Sequence, residues 1–221
     1  MIKFHPNTEL LQQYVAGTLP ASLSVAISAH HEMCDACAKK AAELESQAAL
    51  ATFDDATTSE LSANELDDAM SMMMNDITAD ADIDEFSFES RKELTVGDRS
   101  ITLPRSLSHL SMSRFVQAGK LARSRLELEE GSIRTSLLFI APGGTIPEHT
   151  HTGFELTLLL DGHFSDEHGE YVPGDFIWLD DKHDHTPYTE NGCLCLAVVN
   201  SALHFNKGLS KLLNPIGELI Y

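Results

Sequence analysis

Two groups of side chains in this 221-residue sequence carry donor atoms suited to a metal ion. In the rear half, His149, His151 and Glu155 are separated by even steps. Read as a β-strand, that stretch alternates sides with period two, so the three side chains share one face. Two imidazoles and a carboxylate pointing the same way need a cation between them, or they become buried polar groups without partners. Thr157 and Leu159 continue the same parity, while Leu156, Leu158 and Leu160 take the other. Both faces of this strand therefore read as buried. A fourth ligand is expected from a neighbouring strand beyond Pro173, Gly174 and Asp175, where His183 and His185 both follow. His185, ahead of Thr186 and Pro187, is preferred to His183.

The front group is His5, His30, Cys34 and Cys37. On a continuous helix at about 100° per residue, His30, Cys34 and Cys37 fall in a narrow sector. If the helix breaks between His30 and Cys34, the thiolates lie near a helix start, where the dipole favours their charge. Cys-x2-Cys with a nearby histidine has the spacing of a tetrahedral zinc site with one position open. His5 can fill it, because the following Pro6 pushes it into extended geometry and away from the helix. Two thiolates cancel the dication, leaving a neutral, closed site of the structural kind. A thioredoxin-like redox pair would want a βαβ setting, which this region lacks. Cys193 and Cys195 lie two apart on one strand, a geometry poorly suited to a disulfide, and read as core thiols, one of which could approach the rear metal. His109, His163, His168 and His204 read as structural or solvent-facing.

These groups must be positioned by two kinds of element. Pro6 suits a first helical position, and Leu10, Leu11, Tyr14 and Val15 repeat at helical spacing up to Gly17. Pro20 opens a second helix, with Leu23, Ile27 and His30 on one stripe. Residues 41 to 90 contain no Lys or Arg and many acids. Ser62 to Glu65 forms a capping box, which predicts a helix through Leu66, Ala69, Met70 and Met73 to near Asn75. Its methionine-bearing stripe suits either ordinary packing or an adaptable partner groove. Ile77 to Asp84 is acidic enough to serve as a hinge. From residue 86 the pattern turns to short strands at 86–88, 100–103, 132–140, 155–160, 175–179 and 193–199. Turn residues between them predict a barrel or sandwich. The expected architecture is α+β, with a small helical domain over 1–85 and an antiparallel β-barrel over 86–221. Asp and Glu outnumber Lys and Arg by 34 to 15, for a net charge of −19. Phosphates would be repelled, so direct nucleic-acid binding is not expected, whereas a basic protein partner would be attracted. The first residues lack an apolar signal core and no run is long enough to span a bilayer, which predicts a cytoplasmic protein.

Gly143, His149, His151, Glu155 and Gly162, followed by Pro173-Gly174-Asp175 and a later histidine, resemble the two motifs of the cupin superfamily, a small antiparallel β-barrel. The second motif departs from the usual pattern at Asp180, Asp181 and Lys182. The front histidines and Cys-x2-Cys resemble the zinc-binding domain of bacterial anti-sigma factors. In this order, the two together resemble the ChrR family, anti-sigma factors that hold an extracytoplasmic-function sigma factor inactive. The resemblance implies zinc ligands at His5, His30, Cys34 and Cys37, and ligands for zinc or another divalent metal at His149, His151, Glu155 and His185. It also implies release of the sigma factor in response to singlet oxygen and related oxidants. The cupin could pair two chains into a homodimer. Two other classes share these residues: a metal-dependent cupin dioxygenase or isomerase, and a metal-storage module without a switch.

Overall fold

The computed structural model describes residues 1–55, 63–80, 91–151, 153–180, 183–201 and 203–205, with the backbone alone at 53–55, 63–66, 151 and 203–205. The expected strand at 86–88, the boundary between 85 and 86, the hinge residues 81–84, Ser62 of the capping box, and Asp181 and Lys182 lie outside the described residues.

Among the described residues five helices come in the order α1 (Thr8–Val15), α2 (Ala21–Met33), α3 (Asp35–Asp55), α4 (Ala63–Ala79) and α5 (Arg105–Ser108). Helix α1 starts later than Pro6 because the Asn7 side chain accepts the Leu10 N–H at 2.8 Å, a capping bond that proline has no side chain to make. Gly17, at φ 66°, ends it. Pro20 likewise offers α2 no cap, and the carboxylate of Glu130 supplies one instead, accepting the Ser22 N–H at 2.8 Å and bonding the Ala21 N–H and the Ser22 hydroxyl. Glu32 returns the favour near the other end of α2, accepting the Arg105 and Ser106 N–H groups of α5 at 2.9 and 3.0 Å. Each carboxylate sits where the helix dipole favours negative charge. Helix α4 continues past Asn75 to Ala79, so Ile77 is helical and not part of a hinge.

The strands are β1 (Glu93–Val96), β2 (Arg99–Thr102), β3 (Val116–Ala118), β4 (Leu121–Leu126), β5 (Arg134–Ile140), β6 (Gly144–Thr145), β7 (His149–His151), β8 (Glu155–Gly162), β9 (Phe164–Asp166), β10 (Gly169–Tyr171), β11 (Phe176–Leu179), β12 (Tyr188–Thr189), β13 (Cys193–Val199) and β14 (Leu203–Phe205). A six-stranded sheet runs β11-β8-β13-β5-β4-β3 and a four-stranded one β10-β9-β12-β6, with β14-β7 and β1-β2 as separate pairs. The paired strands are antiparallel throughout. The fold is thus a helical front region followed by an antiparallel cupin-like sheet domain.

The described chain forms two compact units, Met1–Leu44 with Arg91–Tyr221, and Glu45–Ser90. In the first, β8 shows why both its faces are apolar. Leu156, Leu158 and Leu160 pack in one core with Leu23, Ala26 and Ile27 of α2 and Leu103 and Leu107 near α5. Leu159 faces the other way, into a second core with Phe164, Tyr171, Ile177, Leu179 and Cys195. Helices α2 and α5 cover one face of the sheet, and the second core lies on the other.

Residues 2–5 form a strap across the turn that leads into β11. The Asp175 side chain, in a fully buried residue, accepts the Lys3 and Phe4 N–H groups at 2.6 and 3.0 Å through Oδ1 and the Val172 N–H at 2.8 Å through Oδ2. The Phe176 N–H donates to the Phe4 carbonyl at 3.0 Å. Gly174 (φ 94°) lies under Ile2, where an added Cβ would come within 2.4 Å of the Ile2 Cδ1 atom. Asp175→Ala should therefore remove the shared acceptor of the Lys3, Phe4 and Val172 N–H groups and cost on the order of 3 kcal/mol. Urea unfolding, with amide exchange at Lys3 and Phe4, measures it; unchanged protection of those two amides would refute the assignment.

Candidate metal centres

Helix α2 ends at Cys34, whose φ of −133° and ψ of 96° are extended, and α3 begins at Asp35. The broken-helix geometry therefore applies, with Cys34 at the break and Cys37 in the first turn of α3. The strap delivers His5 from the opposite side: its Nδ1 stands 3.5 Å from the Cys34 Sγ and 3.4 Å from the Cys37 Sγ. His30 is fully buried, and its Nδ1–H donates to the Gly174 carbonyl at 2.7 Å. That bond fixes the tautomer and leaves the Nε2 lone pair buried with no hydrogen-bond partner. One atom from each of His5, His30, Cys34 and Cys37 lies within 4.8 Å of the others.

The donor set fits a cation on physical grounds. A tetrahedral zinc site with N and S arms has ligand-to-ligand edges of roughly 3.3–3.8 Å, and the sulfur-to-nitrogen separations fall in that range. Burial lowers the pKa of His30 to about 4, so its imidazole is neutral and ready to donate an electron pair. Burial and the adjacent Cys34 push the Cys37 thiol up to about 12. Two neighbouring thiolates are thus disfavoured by themselves, and a dication reverses that balance.

The second group gathers at the inner end of the barrel by a different route from the single strand expected. The chain turns between β7 and β8 at Gly153, where an added Cβ would meet the Asn200 side chain at 2.0 Å. The same Asn200 Oδ1 accepts the Phe154 N–H at 2.8 Å. His149 and Glu155 thus belong to different sheets, yet converge. His185 is paired to His149 through the backbone, each N–H donating to the other's carbonyl at 3.2 Å. Their Nε2 atoms are 3.0 Å apart, and the His185 Nε2 lies 3.4 Å from a Glu155 oxygen. His183 turns elsewhere, its Nδ1 standing 2.7 Å from Asp180. The side chain of His151 lies outside the described residues, so the grouping seen is His149, Glu155 and His185, all buried.

Hydrogen bonds behind the imidazoles explain how two nitrogens come to face each other. The His149 Nδ1 lies 2.9 Å from the Pro147 carbonyl and the His185 Nδ1 3.2 Å from Asp166 Oδ2, both acceptors. Each Nδ1 therefore carries a proton, and each Nε2 turns toward Glu155. A cation resolves that arrangement. Without one, burial lowers the pKa of His185, but the carboxylates of Asp166 and Glu155 outweigh it and raise it to about 9. Sequence reading missed Asp166, which has no motif around it. Burial opposes its charge, while bonds from His185, the His168 N–H and the Tyr171 hydroxyl hold its pKa below the usual carboxylate value.

The cavity beside these ligands measures about 30 Å3 and is lined mainly by apolar side chains such as Leu138, Ile146, Phe164 and Leu179, with Thr157 and Asp166 among them. That holds a cation with one or two water-sized ligands, far below the roughly 300–1,000 Å3 of a small-molecule substrate pocket. Cys195 reaches the same cavity. A hydrogen bond with Cys193 and full burial push its pKa well up, so it is a thiol of low reactivity.

Cys34→Ser and His149→Ala should each lower the metal content of the full chain by about one equivalent, measured by elemental analysis; unchanged content would refute the ligand assignment. Below about pH 9 the cation-free His185 holds a second proton, which a bound cation must displace. Uptake near neutral pH should therefore release a proton, and affinity should rise by up to about tenfold per pH unit toward 9. Calorimetry in buffers of different ionisation enthalpy reads this directly.

Residues 110–202 match the family model described as the ChrR cupin-like domain. Over 218 residues the chain is 31% identical to the anti-sigma-E factor ChrR of Cereibacter sphaeroides, an alignment covering 97% of both proteins. The crystal structure of Rhodobacter sphaeroides SigE in complex with the anti-sigma ChrR is similar with a TM-score of 0.63 and 28% identity, across 90% of this chain and 99% of that one. Likeness from end to end, spanning the front cluster and the barrel alike, makes this chain a member of the ChrR family of anti-sigma factors.

Proposed function

We propose that this protein is a cytoplasmic anti-sigma factor, a regulator and not an enzyme, that sequesters an extracytoplasmic-function sigma factor and releases it under singlet-oxygen-like oxidative stress. The observation that carries the reading is the coexistence of a closed four-donor cluster in the front segment and a cavity-facing three-donor cluster in the barrel, within a chain alike throughout to a ChrR protein. In this reading zinc occupies His5, His30, Cys34 and Cys37 and sets the shape of the front segment. Zinc or another divalent ion is held by His149, Glu155 and His185, with His151 as the further ligand. When bound there, such an ion supplies Lewis acidity and open coordination positions for an oxidant. The residues around it exclude bulk water and fix the imidazoles.

Helix α4 supplies contact with the sigma factor. Met70, Met72, Met73, Met74 and Ile77 are all more than half exposed, a flexible apolar surface of the kind that adapts to a partner groove. The absence of Lys and Arg over residues 41 to 90 favours the basic surfaces through which a sigma factor meets DNA. No helix among the described residues is long and apolar enough to cross a membrane. The cavity, sized for an ion and small ligands, favours a sensor over the alternative of a substrate-processing cupin.

Co-expression with a sigma factor of this class should give a one-to-one complex. Cys34→Ser or Cys37→Ser should abolish it. His149→Ala or Glu155→Ala should bind the sigma factor as before but fail to release it on oxidant treatment. Release by those variants at the normal rate would remove the barrel from the sensing role, and a Cys34→Ser chain that still binds would remove the front cluster from the inhibitory one.

A further inference from the structure

One short stretch, Asp166 to Phe176, touches ligands of both clusters. At its start, the Asp166 carboxylate, with 1% of its side chain exposed, sits behind His185 and also accepts the Tyr171 hydroxyl at 3.0 Å through Oδ1. Burial, followed by the Asp166 charge, raises the pKa of Tyr171, so its hydroxyl stays a donor. The Tyr171 ring is 1% exposed and lies between Phe164, at a centroid distance of 4.6 Å, and Phe4, at 5.0 Å. Phe4 is the residue before His5, and its carbonyl accepts the Phe176 N–H. At the far end of the stretch, the Gly174 carbonyl orients His30. A shift of His185 must therefore move Asp166, then the Tyr171 hydroxyl and ring, then the strap that carries His5. Close packing on both sides of that ring leaves it little room to absorb the displacement.

We propose that Asp166 and Tyr171 are positioning residues that couple the two clusters, orienting His185 toward the barrel cation while setting His5 through Phe4, so that occupancy of one cluster changes the affinity of the other. This rests on the reading that both clusters bind metal. Coupling of this kind is reciprocal, and the strap is the element through which both sites act.

Cobalt(II) is the probe, because thiolate-to-cobalt charge transfer reports the front cluster and is absent from a site of imidazoles and a carboxylate. In the full chain, competition with a chelator measures front-cluster affinity for wild type, His149→Ala, Tyr171→Phe and the double variant. His149→Ala, which disables the barrel cluster, should change front-cluster affinity by about fivefold or more in the wild-type background and by less than about twofold in the Tyr171→Phe background. Phe4→Leu, which keeps the Tyr171 hydroxyl bond and removes the ring contact, should uncouple the clusters in the same way. Asp166→Asn should weaken cobalt binding at the barrel by about tenfold. An equal effect of His149→Ala with and without the Tyr171 hydroxyl, or no effect in either, overturns the proposal while leaving the metal sites standing. Uptake of fewer than two cobalt ions by the wild-type chain overturns the metal reading and this inference with it.

Discussion

The buried carboxylate of Asp175 is the constraint on which the arrangement of this protein depends. A charge in a fully buried residue is tolerable only if several donors converge on it, and here the backbones of Lys3, Phe4 and Val172 do so. The consequence is geometric. The first residues of the chain are held against the turn before β11, which sets His5 beside the two thiols and brings the Gly174 carbonyl to His30. A loop belonging to the barrel thereby orients half the donors of a cluster whose other half is set by the break between α2 and α3.

The two clusters differ in charge and enclosure. Two thiolates and two neutral imidazoles balance a dication and complete a tetrahedron, so the front group suits a fixed structural role. The barrel group offers imidazoles with a single carboxylate beside a small apolar cavity. A dication there keeps residual positive charge and open positions, which suits reaction with small oxidants. The hydrogen bonds behind the ligands follow the same logic: His30 and His149 donate to backbone carbonyls, which do not titrate, whereas His185 donates to Asp166, which shares its charge with a tyrosine and a turn.

Much of this was legible along the chain. The period-two alternation of Leu156, Leu158 and Leu160 against Glu155, Thr157 and Leu159 marked a strand buried on both faces, and the structure puts α2 and α5 on one side and the cavity on the other. The cysteine spacing and His5 before Pro6 pointed to the front group. Local pattern failed where a long-range partner intervened. Glu130 caps α2 from 108 residues away, and Asn200 holds the turn that divides β7 from β8. His185, preferred to His183 on local pattern, is the one that the structure pairs with His149 through the backbone across 36 residues.

Residue type and spacing alone determined which side chains could bind metal, that helices precede strands, and that the chain is strongly acidic, because donor chemistry, periodicity and charge are properties of short stretches. Tertiary structure decided that His30, His149 and His185 each turn Nδ1 to an acceptor, that Asp166 stands behind His185, and that the Tyr171 ring spans from one cluster to the strap of the other. Those facts depend on hydrogen bonds and packing between segments distant along the chain, and no window of local sequence contains both partners.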